Sequence, residues 1–352
     1  MNDHVNVSSA GRTPGRSQAG PRPLGGPADV PVGRGAVITP APPPASIDFA
    51  RELIAGLQQR PKSVSPKFFY DATGSALFEQ ICELPEYYPT RTEIGILTTH
   101  AQAIARCIGP RAEIVEFGAG SLRKLRLLLD ALDTPLRYTP IDISGEHLLD
   151  AAATLRRERP QLDVLPVVAD FSGTLSLPSA PERAASRVGF FPGSSIGNFA
   201  PDEALRLLQR MATWLAGGGL LIGVDLVKDP AELHAAYNDA AGVTAAFNLN
   251  LLARANRELG ADFELARFAH YAFYNPLVRR IEMHLVSRGA QTVRVAGEHF
   301  EFTDGESLHT ENSYKYTVDG FRALAREAGF TPEAVWCDAA QRFAVHWLAA
   351  PR

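Results

Sequence analysis

The sequence predicts an α/β fold, a parallel doubly wound sheet with a second domain attached. From Ala112 onward, short apolar runs alternate with amphipathic helical stretches, the pattern of parallel strands joined by crossover helices. The runs are apolar throughout, as strands buried on both faces are. After Lys228 the alternation stops, so the chain beyond that residue belongs to another unit. At 352 residues the chain is long enough for two domains.

Taken in order, the first 45 residues hold nine prolines and seven glycines and read as an unstructured extension. The segment is rich in arginine and poor in acids, which also fits a transit peptide, but it lacks the apolar core of a secretory signal. Helical apolar spacing begins at Ile47 and runs to Gln59. PKFFYDATGSALFEQICELPEYYPTRTE (Pro66–Glu93) is aromatic-rich and broken by Gly74, Pro85 and Pro89, and one helix is expected from about Thr92 to Cys107. Five strands follow, at Glu113–Phe117, Tyr138–Ile143, Val164–Phe171, Val188–Pro192 and Leu220–Leu226, with helices at Leu122–Leu132, Glu146–Arg159 and Pro201–Leu215. Beyond Lys228 come a long helical region with four asparagines (Ala236–Gly260), strand-like runs at Arg279–Ser287 and Gln291–Phe302, a helix at Val318–Ala328 and a closing apolar segment, RFAVHWLAA.

Composition narrows the function. A net charge of −4 gives no basic field for nucleic acid. No apolar run reaches the roughly 18 residues of a membrane span. Three cysteines, odd in number and far apart, fit no disulfide or zinc spacing and suit a reducing cytoplasm. The nine histidines are scattered, so no metal site is expected.

Chemistry gathers at the carboxyl ends of successive strands, where ligands bind in such sheets. EFGAGSLRK (Glu116–Lys124) leads a strand through Gly118 and Gly120 into a helix, a turn that admits a ligand close to the backbone. Read alone it is equally a tight turn, and it lacks the third glycine of a nicotinamide dinucleotide fingerprint. Asp142 ends the next strand and suits the two hydroxyls of a ribose; it would otherwise cap the following helix, a task Ser144 could take instead. Asp170 and Phe171 end the third, a carboxylate for an exocyclic amine and a ring for a flat base. Together the three point to an adenosine-containing cofactor, and the lack of a P-loop lysine motif argues against a nucleoside triphosphate. PGSSIGNF (Pro192–Phe199) then places small polar groups beside that cofactor, where a substrate would lie. The densest polar cluster is HTENSYKY (His309–Tyr316), whose side chains far exceed what a turn requires.

These stretches, with LIGVDLVKD, AYNDAAGVTAAFNLNLL and RRIEMHLVS, closely resemble the S-adenosylmethionine-dependent histidine Nα-methyltransferases of ergothioneine biosynthesis, from about Ile47 to the C-terminus. The resemblance implies a class I, Rossmann-like methyltransferase domain at 92–227 and 318–352, with an α+β substrate-binding domain built from 46–91 and 228–317. It implies three successive methyl transfers to the α-amine of L-histidine, giving hercynine, by way of the mono- and dimethyl forms. It also implies a cytoplasmic monomer, without metal. Its cofactor positions match Tyr70, Gly118, Gly120, Lys124, Asp142, Asp170 and Phe171, with Lys124 and Tyr70 on the methionine carboxylate. Its substrate positions match Tyr87, Gly193, Asn198, Tyr237, Phe247, Met283, Glu311 and Ser313. Tyr87, Asn198 and Tyr237 would hold the amino acid's backbone groups, and Phe247 and Met283 would line its pocket.

On this reading Glu311 and Ser313 each meet one imidazole nitrogen, and an apolar side chain would leave Glu311 buried and unpaired. The alternative is that Glu311 caps a helix or pairs with Lys315 on the surface. The proton leaving the amine would go to Tyr70 or to water. EFGAG and PGSSIGNF depart slightly from the family's commoner ELGSG and PGSTIGNF. Two further functions stay open: methylation of tryptophan or tyrosine, and a non-catalytic S-adenosylmethionine-binding protein.

Overall fold

A computed structural model describes residues 45–352, which fall within one compact unit. The expected tail, except its last residue, lies outside the described residues. Helix α1 (Ala45–Gln58) leads to a two-residue strand β1 (Lys62–Ser63), then to α2 (Ala72–Glu83), α3 (Tyr88–Thr99) and α4 (Ala101–Ile108). The single helix expected at Thr92–Cys107 is thus two, broken at His100. The first starts earlier because Pro89 sits in its opening turn, where a missing N–H costs nothing.

The alternating region gives β2 (Ala112–Phe117), α5 (Leu122–Ala131), β3 (Arg137–Asp142), α6 (Gly145–Glu158), β4 (Asp163–Val164), β5 (Val167–Val168), β6 (Ser186–Phe191), α7 (Pro201–Trp214) and β7 (Gly219–Asp225). The strand expected at Val164–Phe171 is split into β4 and β5 around Pro166, which has no N–H for the ladder. Next come α8 (Pro230–Tyr237) and α9 (Val243–Leu259). They replace the expected single helical region because the Asp239 carboxylate accepts from the backbone N–H of Val243 and Thr244, each at 2.8 Å, and so starts a new helix.

The remaining elements are β8 (Phe268–Asn275), β9 (Arg280–Ser287), β10 (Gln291–Val295), β11 (Glu298–Phe302), β12 (Ser307–Tyr314), α10 (Val318–Glu327), β13 (Thr331–Cys337) and β14 (Phe343–Ala349). The run Gln291–Phe302 is a hairpin, not one strand, turning at Ala296–Gly297. The closing apolar segment is β14, which fills the sheet between β7 and β13.

The large sheet has the order β13-β14-β7-β6-β2-β3-β4, with β5 also on β3. Its pairs are parallel except β7–β14 and β14–β13. This is the class I methyltransferase topology. Chain order reverses between β2 and β6, so the loops after these two strands flank a crevice at their carboxyl ends. All residues of β2 and β7 are buried, as expected of central parallel strands, the carboxylates of Glu113, Glu116 and Asp225 included. The second sheet, β1-β12-β9-β8, packs with α1, α2, α8 and α9 around its own core, which includes Phe49, Phe69, Phe247, Leu251 and Leu285.

The two sheets meet through β12. Past Tyr314 the chain continues to the end of β7, where Tyr316 N donates to Asp225 O at 3.0 Å and Val227 N to Tyr316 O at 2.9 Å. The polar octapeptide is therefore the strand that joins the second sheet to the crevice.

Gly223 marks a close approach within β7. A Cβ there would lie 2.1 Å from Glu93 Oε1 and 2.9 Å from the Phe343 ring. Gly223→Ala should cost about 1–3 kcal/mol by overpacking and displace the Glu93 carboxylate. A fall in thermal midpoint, with the fold retained by circular dichroism, checks it.

Candidate active site

A cleft of about 1320 Å³ runs along the strand ends. Of the residues expected at a site, it is lined by Tyr70, Tyr87, Gly118, Gly120, Lys124, Asp142, Asp170, Phe171, Gly193, Asn198 and Glu311. A smaller chamber, lined by Tyr237, Phe247, Met283 and Ser313, shares Tyr70, Tyr87, Gly193, Asn198 and Glu311 with it. Every residue expected from the sequence therefore faces one or both.

At the ends of β2, β3 and β5, Gly118 takes φ +74°, and a Cβ there would touch the Phe171 ring at 3.6 Å. Phe171 packs edge-on against Phe117 and Phe191 with centroids 6.1 and 5.6 Å away, which fixes its ring at the cleft. Asp142 does act at the start of α6: its Oδ1 accepts from Ser144 N at 2.7 Å, while the Ser144 side chain makes no cap. The expected division of labour between these two is reversed. Burial pushes the Asp142 carboxyl up to about 6, against these backbone bonds, so added hydroxyl donors would stabilise its ionised form. Asp170 has partners of its own, Ser172 N at 2.8 Å and Lys67 Nζ at 3.3 Å, which hold its carboxyl below the ordinary range against burial. A positive-φ glycine beside a ring, and a part-buried carboxylate at each of two strand ends, fit an adenosine-bearing cofactor.

Lys124 is placed by a residue the sequence reading missed. Glu93 on α3 is almost wholly buried; it receives the Lys124 ammonium and accepts from Gly193 N at 2.9 Å. One carboxylate thus ties the first helix of the large sheet to the loop after β6.

On the second sheet, a register shift in β12 between His309 and Glu311 decides which side chains face inward. Thr310 and Glu311 are consecutive yet both buried. After the bulge, Glu311, Ser313 and Lys315 alternate onto one face. Asn248 on α9 secures the bulge: its Oδ1 accepts from Thr310 Oγ1 at 2.8 Å, and its amide donates to His284 O at 3.0 Å. Glu311 lies opposite Met283, and burial pushes its carboxyl up to about 7 although Lys315 opposes the shift.

The surface pair of Glu311 with Lys315 is not formed. Lys315 is buried and pairs with Asp225 Oδ2 at 2.8 Å, while donating to Ser313 Oγ at 2.8 Å and Tyr237 OH at 3.2 Å. Tyr237 also donates to Ser313 Oγ at 2.8 Å. With both lone pairs of Ser313 engaged, its own hydroxyl hydrogen is free to point into the chamber.

Asp225 further receives Lys228 at 2.6 Å and the Tyr88 hydroxyl at 2.7 Å. Burial opposes its charge, but the two ammonium groups hold its carboxyl below the ordinary range. Asp225, Lys315, Lys228 and Tyr88 were not predicted, although the strand-end rule that picks out Asp142 and Asp170 also picks out Asp225.

Tyr70 lies against Phe78 and Phe247, with centroids 5.8 Å away in each case. Burial, with a contribution from Glu311, pushes its phenol well above the ordinary value. It is therefore a neutral hydroxyl at physiological pH, which disfavours it as the proton acceptor. The expectation that no histidines cluster also fails: Glu282, His284 and His309 converge from β9 and β12.

The fold and the crevice define an S-adenosylmethionine-dependent methyltransferase. The family profile "Histidine-specific methyltransferase, SAM-dependent" matches residues 49–350, and the chain belongs to that family. It is 45% identical to the histidine N-alpha-methyltransferase of Mycolicibacterium smegmatis over 83% of this chain and 92% of that one. Identity to the Mycobacterium tuberculosis protein of the same name is 41%, over 85% and 94%. Ergothioneine biosynthesis protein 1 of Neurospora crassa is 32% identical over 83% of this chain, which spans 34% of that longer protein.

Asp225→Asn would leave two buried ammonium groups without their counterion. A loss of about 3–5 kcal/mol is expected, measured by denaturant unfolding in the absence of ligands.

Proposed function

We propose that the protein transfers three methyl groups in succession from S-adenosylmethionine to the α-amine of L-histidine, giving hercynine on the way to ergothioneine. The observation that carries this reading is the pairing of Glu311 and Ser313 on the inward face of β12, one an acceptor and the other holding a free donor hydrogen. A neutral imidazole offers one N–H and one lone pair, so it answers both. With its carboxyl near 7, Glu311 shares a proton with an imidazole of ordinary pKa about 6.5 on nearly equal terms.

When bound, S-adenosylmethionine supplies an electrophilic methyl on a sulfonium. In the same proposal the residues divide the remaining work. Gly118, Gly120, Asp142, Asp170 and Phe171 hold the adenosine, with Asp142 on the ribose; Lys124 and Tyr70 hold the methionine carboxylate. Tyr87, Asn198 and Tyr237 position the amino acid's amine and carboxylate through neutral groups, so no fixed cation is added beside the sulfonium. Gly193 leaves room at the amine, and Phe247 and Met283 wall the side chain. The amine must be neutral to attack. Tyr70 orients it as an intact phenol, and the proton leaves to water in the cleft. Positioning then supplies most of the rate advantage.

The same reading takes 46–91 and 228–317 as the substrate lobe and 92–227 with 318–352 as the cofactor lobe, in line with separate cores around the two sheets. It takes the protein to act as a cytoplasmic monomer without metal in its chemistry, on small molecules and not on nucleic acid or membrane. The three unpaired cysteines support a reducing compartment, and the net charge of −4 supports the absence of a nucleic-acid partner. Among the described residues no helix is long and apolar enough to cross a membrane.

Incubation with S-adenosylmethionine and each of the twenty amino acids, read by product mass, tests the proposal. Histidine alone should gain three methyls, and Glu311→Gln should raise its KM about tenfold or more, the loss of a charge-assisted hydrogen bond. Trimethylation of another amino acid would discard the roles of Glu311 and Ser313. Cofactor binding without any methylation would discard the enzyme.

Glu311 also makes a stability prediction for the ligand-free protein. Its folded carboxyl titrates at about 7 and its unfolded one near 4.5, so the folded state holds the extra proton between these values and stability falls as pH rises through them. Glu311→Gln removes the effect. At pH 8 the variant should be the more stable by on the order of 2–3 kcal/mol, with the difference shrinking toward pH 4.5, as denaturant unfolding across pH reads directly.

A further inference from the structure

Glu282, His284 and His309 each offer one ligand atom, and these atoms lie within 4.8 Å of one another. Strand pairing brings them together. Glu282 and His284 are two apart on β9, His309 pairs directly with His284, and Asn312 pairs directly with Glu282. All four side chains therefore share one face of the strand pair, the face opposite Met283 and Glu311.

The surroundings orient these groups as ligands. Glu282 Oε1 accepts from Asn275 Nδ2 at 3.0 Å and from Arg280 Nε at 2.9 Å, while Oε2 lies 3.3 Å from His284 Nε2. That separation is long for a charge-assisted hydrogen bond. It matches the spacing of about 3.3 Å between two donors bound roughly 2.0 Å from one tetrahedral ion. His309 Nε2 lies 3.0 Å from the carbonyl oxygen of Glu311, so Nε2 carries the hydrogen and Nδ1 keeps its lone pair. A ring N–H given to a backbone carbonyl is the usual support of a metal-bound histidine.

A second observation is independent of the cluster's composition. His284 Nδ1 and Asn312 Oδ1 are buried on this face without any hydrogen-bond partner among the described residues. A buried polar atom left so is unfavourable. With His284 bound through Nε2, a metal-bound water donating to Asn312 would relieve the Asn312 oxygen.

We propose that Glu282, His284 and His309 bind one divalent transition-metal ion of the zinc class, with the fourth position left to water. Two imidazoles and one carboxylate favour such an ion over magnesium or calcium, and the nearby Arg280 guanidinium weighs further against a hard cation held by charge alone. The ion clamps β9 to β12 beside the bulge that turns Glu311 inward, and through His309 it firms the bond to the Glu311 carbonyl. The site is structural: its three ligands have no assigned part in methyl transfer, although His309 and Asn312 also border the cleft.

The test uses the full chain, freed of metal with a chelator and titrated with zinc chloride against a chromophoric competitor. One zinc per chain is expected, together with a rise in thermal midpoint. His284→Gln and His309→Gln should each weaken binding at least tenfold and abolish the rise. Cobalt(II) in the unaltered protein should give visible d–d bands without a thiolate charge-transfer band, a readout that needs no variant to fold. Absence of saturable zinc binding, binding undiminished in both variants, or a thiolate band from a cysteine such as Cys82 would each overturn the proposal.

Discussion

The ion pair of Asp225 and Lys315 is the constraint on which the rest of the structure depends. Asp225 ends the central strand β7, and Lys315 follows the last residue of β12, so one contact joins the two sheets. Both charges are buried, and such a pair persists only when its remaining hydrogen-bonding capacity is filled. Asp225 fills it with Lys228 and Tyr88, and Lys315 with Ser313 and Tyr237. The desolvated pair therefore dictates where two chamber residues point. It also explains the polarity of HTENSYKY: alternate side chains either bind or brace, and Lys315 braces.

Much of this was legible in the sequence, for definable reasons. Buried parallel strands are continuous apolar runs, and four of the five expected in the large sheet lie within two residues of their places. Asp142, Asp170 and Phe171 were visible because strand ends are predictable and ligands lie there. The second sheet was harder to read. Its strands mix polar and apolar residues, and β8 escaped notice because FAHYAFYN is buried only in part. The bulge in β12 was invisible, since a one-residue shift leaves no mark on composition. Glu93 and the cluster of Glu282, His284 and His309 depend on pairing between distant segments, which spacing along the chain cannot express.

The site runs counter to the protein's own stability. Burial lifts the carboxyls of Glu116, Asp142 and Glu311 to about 8, 6 and 7. Each would be more comfortable in water, or replaced by an uncharged group of the same shape. What they have in common is the cleft, which all three line. A cavity that collects reluctant carboxylates is suited to a cationic ligand, because a cation favours their ionised forms. The sulfonium of the family's cofactor is such a ligand.

The proposed reaction also changes what the chamber must hold. Each methyl replaces an N–H, so hydrogen bonding to the amine weakens with every turnover, and the final product carries a fixed positive charge with no donor. Hydrogen bonds from Tyr87, Asn198 and Tyr237 cannot be the sole grip at that stage. The aromatic walls can take over: Tyr87 lies edge-on to Tyr237 at 6.4 Å and to Phe78 at 6.3 Å, with Tyr70 and Phe247 beside them. Ring faces hold a quaternary ammonium as readily as a protonated amine. A pocket walled by rings and oriented by a few neutral hydroxyls can thus keep partly methylated intermediates through three transfers.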